Sequence, residues 1–189
     1  MQSQRDYVLR TVEERGVRFI QLWFTDVLGI PKTFSITPAE LEDALDEGMT
    51  FDGSAIDGFS RVQESDVIAH PDPTTFQILP FRAGQDSTIA RVFCDISDLD
   101  GRPFNGCPRG VLRRQLELAH ARGFSCFAAP ELEYFYFAGP SADGPPRPLD
   151  SGTYFELTVA DLATDLRKKT VLTLEEMGIP VEYAQHEDA

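Results

Sequence analysis

The run Ala128-Ala129-Pro130-Glu131-Leu132-Glu133-Tyr134-Phe135-Tyr136-Phe137 sets two carboxylates, two residues apart, in a stretch that is otherwise aromatic and aliphatic. Such a run predicts a β-strand, in which residues i and i+2 project from one face. Glu131 and Glu133 then point the same way, about 7 Å apart along the strand. Like charges that close in a partly buried setting repel, and burial makes each ionised form costly. A divalent cation, or a pair of cations, compensates them most directly. The alternative is the solvated face of an edge strand, with each glutamate free or paired to a surface lysine.

The chain has 189 residues, enough for one large domain or two small ones with a packed core. Its net charge of −14 and the lack of any basic stripe argue against nucleic acid and an anionic membrane surface as partners. The same charge is compatible with cation binding. Cys94, Cys107 and Cys126 show no Cys-x-x-Cys spacing and are odd in number, which points to free thiols in a reducing cytoplasm. No apolar run approaches the length of a membrane span, and residues 1–15 do not form a signal sequence.

Along the chain, Tyr7-Val8 and Val12 predict a short amphipathic helix ended by Gly16. Val17 to Phe24 predicts a strand, residues 25–29 a hairpin-like turn, and Ile30 to Ile36 a second strand. Thr37-Pro38-Ala39-Glu40 predicts a helix start with a capping box, and that helix runs to about Gly48. Phe76–Leu79 and Thr88–Cys94 read as further strands. This order suits a small α+β unit over residues 1–102, with one helix packed on a sheet. After a linker at 97–103 the pattern predicts a helix from Pro108 to Gly123, the Glu-x-Glu strand, and a Pro/Gly-rich excursion over 138–153. A helix with Leu162, Leu166, Leu174 and Met177 on one stripe follows, then a strand from Ile179 to His186. Two helices and two strands make a thin layer, so the unit over 103–189 reads as incomplete.

Three more segments carry polar groups suited to chemistry. Phe51-Asp52-Gly53-Ser54-Ala55-Ile56-Asp57-Gly58-Phe59 combines carboxylates and a hydroxyl with glycines that permit tight backbone; an ordinary turn reads the same way. His186-Glu187 closes an apolar strand, where a lone histidine is commonly structural. Tyr154 has no local distinction and defaults to a core or rim position.

In combination these segments resemble a known family. The order Trp23-Phe24-Thr25-Asp26-Val27-Leu28-Gly29, Phe51-Asp52-Gly53-Ser54, Glu64-Ser65-Asp66 with Pro71-Asp72-Pro73, Pro130-Glu131-Leu132-Glu133, Thr153-Tyr154-Phe155 and Gln185-His186-Glu187 resembles glutamine synthetase of the bacterial type I. It is similar above all to actinobacterial glutamine-synthetase-like paralogues, some of which ligate glutamate to polyamines. The resemblance implies an amino-terminal β-grasp-like domain at 1–102 and the amino-terminal portion of a catalytic α/β domain at 103–189. It also implies ATP-dependent phosphorylation of the glutamate side chain, then displacement of phosphate by an amine. Glu133 and Glu187 match ligands of one Mg2+ or Mn2+ ion, and Glu131 matches a ligand of a second near the ATP phosphates; hard oxygen donors suit such ions. Asp52 matches the aspartate that binds ammonium and helps remove its proton, and Tyr154 matches a tyrosine of the same pocket. A cytoplasmic homo-oligomer is implied, with rings of six, usually stacked as twelve, and with the Asp52 loop completing a neighbour's site.

Two departures from the family pattern matter. Ala55 stands where a second serine is common, which makes the pocket less polar and better suited to an alkyl amine. The family's further metal ligands and phosphate-clamping arginines have no counterpart in these 189 residues. An inactive chain in isolation is therefore expected. A non-catalytic fragment with an oligomerisation role is the alternative, and an unrelated metal hydrolase fits less well, since such sites are normally rich in histidine.

Overall fold

The computed structural model describes residues 2–54, 56, 66–80, 88–139 and 144–188. The chain forms two compact units, Met1–Cys126 and Phe127–Ala189. In the first, helix α1 (Gln2–Glu14) turns its Val8 and Val12 side chains into the core, and Gly16 follows at φ 60°, as expected for a glycine stop. Strand β1 (Val17–Thr25) buries Val17, Ile20, Leu22 and Phe24 on one face. Strand β2 (Pro31–Ile36) pairs with it antiparallel at the sheet edge, where its opening proline costs no ladder bond.

The turn between β1 and β2 is organised by Asp26, which is fully buried. Its carboxylate accepts from the Leu28 and Ile30 amides at 2.9 Å and lies 3.3 Å from Lys32 Nζ. Burial alone would raise its pKa; the Ile30 amide, Lys32 and the Leu28 amide outweigh this and hold it below the ordinary value.

The capping box at Thr37 does not form. Pro38–Glu40 makes a single 3-10 turn whose Glu40 amide bonds to the Thr37 carbonyl, so the Thr37 side chain makes no cap bond. Helix α2 (Leu41–Asp46) then buries Leu41 and Ala44. Arg5 of α1 reaches Glu42 and Asp46 of α2 at 2.8 and 2.9 Å.

Two strands escape the sequence pattern: β3 (Met49–Asp52) and β4 (Asp66–Pro71), which pair antiparallel. Each is short, and polar or proline residues interrupt its alternation. Gly48, just before β3, has φ 84°, and a Cβ there would meet Ile68 Cγ2 at 2.5 Å. The expected strand at 76–79 shrinks to β5 (Gln77–Ile78), whereas β6 extends over Thr88–Ser97. Strand β6 is the hub of the sheet. It runs parallel to β1, with Leu22 beside Val92, and antiparallel to β4 and β5. The main order is β2-β1-β6-β4-β3. Helices α1 and α2 contribute Val8, Val12, Leu41 and Ala44 to the core over this sheet. Helix α3 (Pro108–Ala121) also contacts β1 and β6, and Arg109 and Arg113 at its start pair with Asp95 of β6. The result is the α+β architecture expected.

The second unit holds helix α4 (Thr164–Glu176), one turn shorter than the leucine stripe suggested, with Leu162 before its start. The strands expected at 128–137 and 179–186 are not strands. Both runs are laid out without a ladder; a single bridge joins Phe137 to Pro148 among the described residues. An apolar alternating pattern is necessary for a strand, but the backbone N–H and C=O groups must also find a partner chain. The two-residue period survives locally. Tyr134 and Tyr136 pack ring to ring with hydroxyls 3.3 Å apart, while Phe135 stacks on Phe137.

Candidate functional site

Asp52 ends β3 with its carboxylate exposed, and Oδ1 accepts the Ser54 amide at 2.8 Å. Gly53 is buried, and its carbonyl accepts the Ile56 amide at 3.0 Å, so this segment is a tight turn presenting a carboxylate. Ala55, Asp57, Gly58, Phe59, Glu64 and Ser65 lie outside the described residues.

Glu131 and Glu133 are exposed, and among the described residues neither takes a hydrogen bond or an ion pair. Glu187 is exposed too; its carboxylate accepts from Gln185 Nε2 and the Asp188 amide, each at 3.1 Å. Tyr154 is tied to the Glu187 segment through its backbone: its amide donates to Asp188 Oδ1 at 2.8 Å, and the Phe155 amide donates to the His186 carbonyl at 2.9 Å. The structure therefore brings Tyr154 and Glu187 onto bonded neighbouring segments. It does not gather Glu131, Glu133 and Glu187: their ligand atoms do not meet within 4.8 Å of one another. As donors the three are hard, uncommitted or lightly committed carboxylates, the chemistry that Mg2+ or Mn2+ prefers.

The group that does meet is one the sequence did not suggest: Asp150, Asp161 and His186, within 4.8 Å of each other. Its lone pairs are already engaged. Asp161 forms an ion pair with Arg167 and accepts from Thr164 Oγ and the Ala163 amide. Asp150 accepts from the Leu162 amide at 2.8 Å, the Gly152 amide at 3.3 Å and His186 Nε2 at 3.0 Å. His186 Nδ1 faces the Glu187 carbonyl at 2.8 Å, so both ring nitrogens point at acceptors, an arrangement that favours the protonated ring. Accordingly Asp150 raises the His186 pKa, His186 lowers that of Asp150, and Arg167 holds Asp161 well below the usual carboxylate range. This is a closed charge network. Asp161 had a sequence signal, an acidic residue just ahead of an apolar helical stripe. Asp150 had only a turn-like Asp-Ser-Gly, because apart from the Gly152 amide its partners lie 12 and 36 residues away.

Asp161 carries a prediction. A depressed folded-state pKa contributes stability that is complete above the ordinary value of 3.8 and is lost as pH falls through the folded value. Below about pH 5, where His186 with its ordinary pKa of 6.5 is protonated in the folded and unfolded chain alike, hydrogen exchange at the α4 amides, corrected for intrinsic rates, should isolate this effect. Protection should fall as the pH drops below 3.8, and fall less in Arg167→Met, where the folded pKa lies nearer the unfolded one. A wild-type profile unchanged down to pH 2 would contradict it.

Comparison with known proteins fits this organisation. Residues 16–99 match the family model for the glutamine synthetase beta-Grasp domain, and residues 105–189 match that for the glutamine synthetase catalytic domain. The chain belongs to the glutamine synthetase family. Within that family it is 51% identical to glutamine synthetase from Mycolicibacterium smegmatis and from Mycobacterium tuberculosis H37Rv, along 100% of its own length. It is 43% identical to the Halobacterium salinarum enzyme over 96% of its length. The chain spans 43% of the length of the mycobacterial relatives. In fold it is similar to a glutamine synthetase of Plasmodium falciparum, with a TM-score of 0.76, 16% identity and coverage of 98% of this chain and 42% of that one. An apo structure of GmaS matches with a TM-score of 0.72 and 20% identity, over 96% of this chain and 42% of that one. Among the described residues no helix is long and apolar enough to cross a membrane.

Proposed function

We propose that this chain supplies the amino-terminal part of an ATP-dependent ligase that joins glutamate to ammonia through a γ-glutamyl phosphate. The observation that carries the reading is the pair of bonds that joins the Tyr154 and Glu187 segments, from the Tyr154 amide to the Asp188 carboxylate and from the Phe155 amide to the His186 carbonyl. It supports the reading because Tyr154, proposed for the ammonium pocket, and Glu187, proposed as a metal ligand, then lie on bonded segments. In this reading Glu133 and Glu187 hold one Mg2+ or Mn2+ ion and Glu131 a second. When bound, such ions neutralise the charge of the transferring phosphoryl group. Asp52, exposed at the end of β3, stabilises ammonium by charge and takes its proton, leaving the neutral nucleophile. Tyr154 lines the same pocket. The exposure of Asp52 fits a role in completing a neighbouring subunit's site within rings of six, stacked as twelve.

A chimera tests this: residues 1–189 in place of the matching part of the Mycolicibacterium smegmatis enzyme, assayed for glutamine formation from glutamate, ammonium and ATP. Activity that depends on Glu133 supports the reading, and a ring-forming chimera with no activity would overturn it. The 189-residue chain alone is expected to be inactive and to bind manganese only weakly, since Glu131 and Glu133 stand open to solvent. Tight, stoichiometric manganese binding in titration calorimetry would contradict that.

Ala55 favours a second reading, in which the acceptor is an alkyl polyamine. Putrescine outcompeting ammonium in the same chimera would select it; a clear preference for ammonium would remove it.

A further inference from the structure

The Asp150–His186 pair lies among the segments assigned to ammonium and metal, and its bonds reach further than one ion pair needs. Asp150 sits at the start of the loop that carries Tyr154. Its two oxygens bond to that loop at Gly152, to the entry of α4 at Leu162 and to the final segment at His186. His186 in turn precedes Glu187, and its carbonyl accepts the Phe155 amide. Two independent features show how tightly this junction is closed. Gly152 is buried beneath the imidazole, and a Cβ there would lie 2.6 Å from Nε2 and 2.9 Å from Cε1. Phe155, next to Tyr154, has φ 55°, the one non-glycine residue with positive φ among the described residues. A phenylalanine in that region costs about 1–3 kcal/mol and persists only where surrounding contacts impose it. Here the imposing contacts are the His186 carbonyl on the Phe155 amide and the T-shaped packing of Tyr154 on Phe155 at 4.4 Å.

We propose that Asp150 is a positioning residue: through His186, clamped over Gly152, it sets the spacing between Tyr154 and Glu187. The inference rests on the assignment of Glu187 as a metal ligand. Asp150 touches neither metal nor substrate; it acts as a support behind a ligand, the class of residue whose loss commonly weakens metal binding by about 10- to 100-fold. The network does not itself hold the ion, because each oxygen and ring nitrogen in it already has a protein partner.

The test is a manganese titration of the 189-residue chain followed by amide NMR, comparing wild type, Asp150→Asn and Gly152→Ala. In the wild type, paramagnetic broadening should reach the Glu187 and Tyr154 amides over the same range of manganese concentration. In both variants the concentration needed at Glu187 should rise about tenfold, and Tyr154 should no longer broaden in step. Amides of α4 and of the sheet report whether each variant is folded. If Asp150→Asn loses α4, Gly152→Ala decides, since it displaces the ring and leaves every carboxylate in place. Unchanged broadening in a folded variant overturns the positioning role and leaves Glu187 as a ligand. No broadening at Glu187 in the wild type overturns the ligand assignment, and the positioning role with it.

Discussion

Asp52→Asn should lower ammonium-dependent glutamine formation by the chimera about 10²- to 10⁴-fold, the range general-base groups commonly contribute. Asparagine keeps the oxygen that accepts the Ser54 amide, so the turn after β3 should survive. What it removes is the charge proposed to stabilise ammonium and the carboxylate oxygen proposed to accept its proton. The loss should therefore fall on kcat and on the apparent KM for ammonium, with the KM for ATP little changed. Steady-state kinetics at fixed ATP and glutamate measure it directly. A loss below threefold, with the ring intact, would remove Asp52 from the chemistry.

Leu22→Ala should have the largest effect on stability. Leu22 is fully buried at the centre of β1, between Phe34 of β2 and Val92 of β6. Truncating such a side chain costs about 2–5 kcal/mol, because transfer energy is lost and the cavity only partly closes. A domain of this size has about 5–15 kcal/mol in all, so the variant should be marginal. Trp23 is the chain's single tryptophan and packs edge-on against Phe93 at 5.9 Å, which makes its fluorescence in urea a reporter for this sheet. The midpoint should fall sharply with little change in slope. Leu132→Ala is the control: its side chain is 75% exposed, and its effect should lie within about 0.5 kcal/mol. A Leu22→Ala loss under about 1 kcal/mol would show that the core relaxes around the gap.

Much of the first unit was legible in its residues. The alternation of Val17 to Phe24 and of Thr88 to Cys94 marks two strands with one buried face, and both are central in the sheet. Where patterning was weak, reading failed. The strands at Met49–Asp52 and Asp66–Pro71 are short, and their pairing to each other and to β6 is what makes them strands. The reverse error occurred at 128–137 and 179–186, where the pattern is strong but no ladder forms among the described residues. The Thr37 capping box failed for a local reason, since the Pro38 turn closes on the Thr37 carbonyl instead of its hydroxyl.

The candidate site divides along the same line. Glu131 and Glu133 stand out by their spacing alone, whereas Asp52, Tyr154 and Glu187 stand out only through the ordered resemblance to the family. That Tyr154 and Glu187 lie on bonded segments, and that Asp150, Asp161 and His186 come together with Arg167 paired to Asp161, was decided only by the tertiary structure. Sequence by itself determined the family, the class of fold and which carboxylates to watch. The folded chain determined which of them have partners. The physical reason is range: propensity, alternation and capping act over a few residues, whereas an ion pair or a ladder bond joins groups whose separation along the chain, such as the 36 residues from Asp150 to His186, carries no local signal.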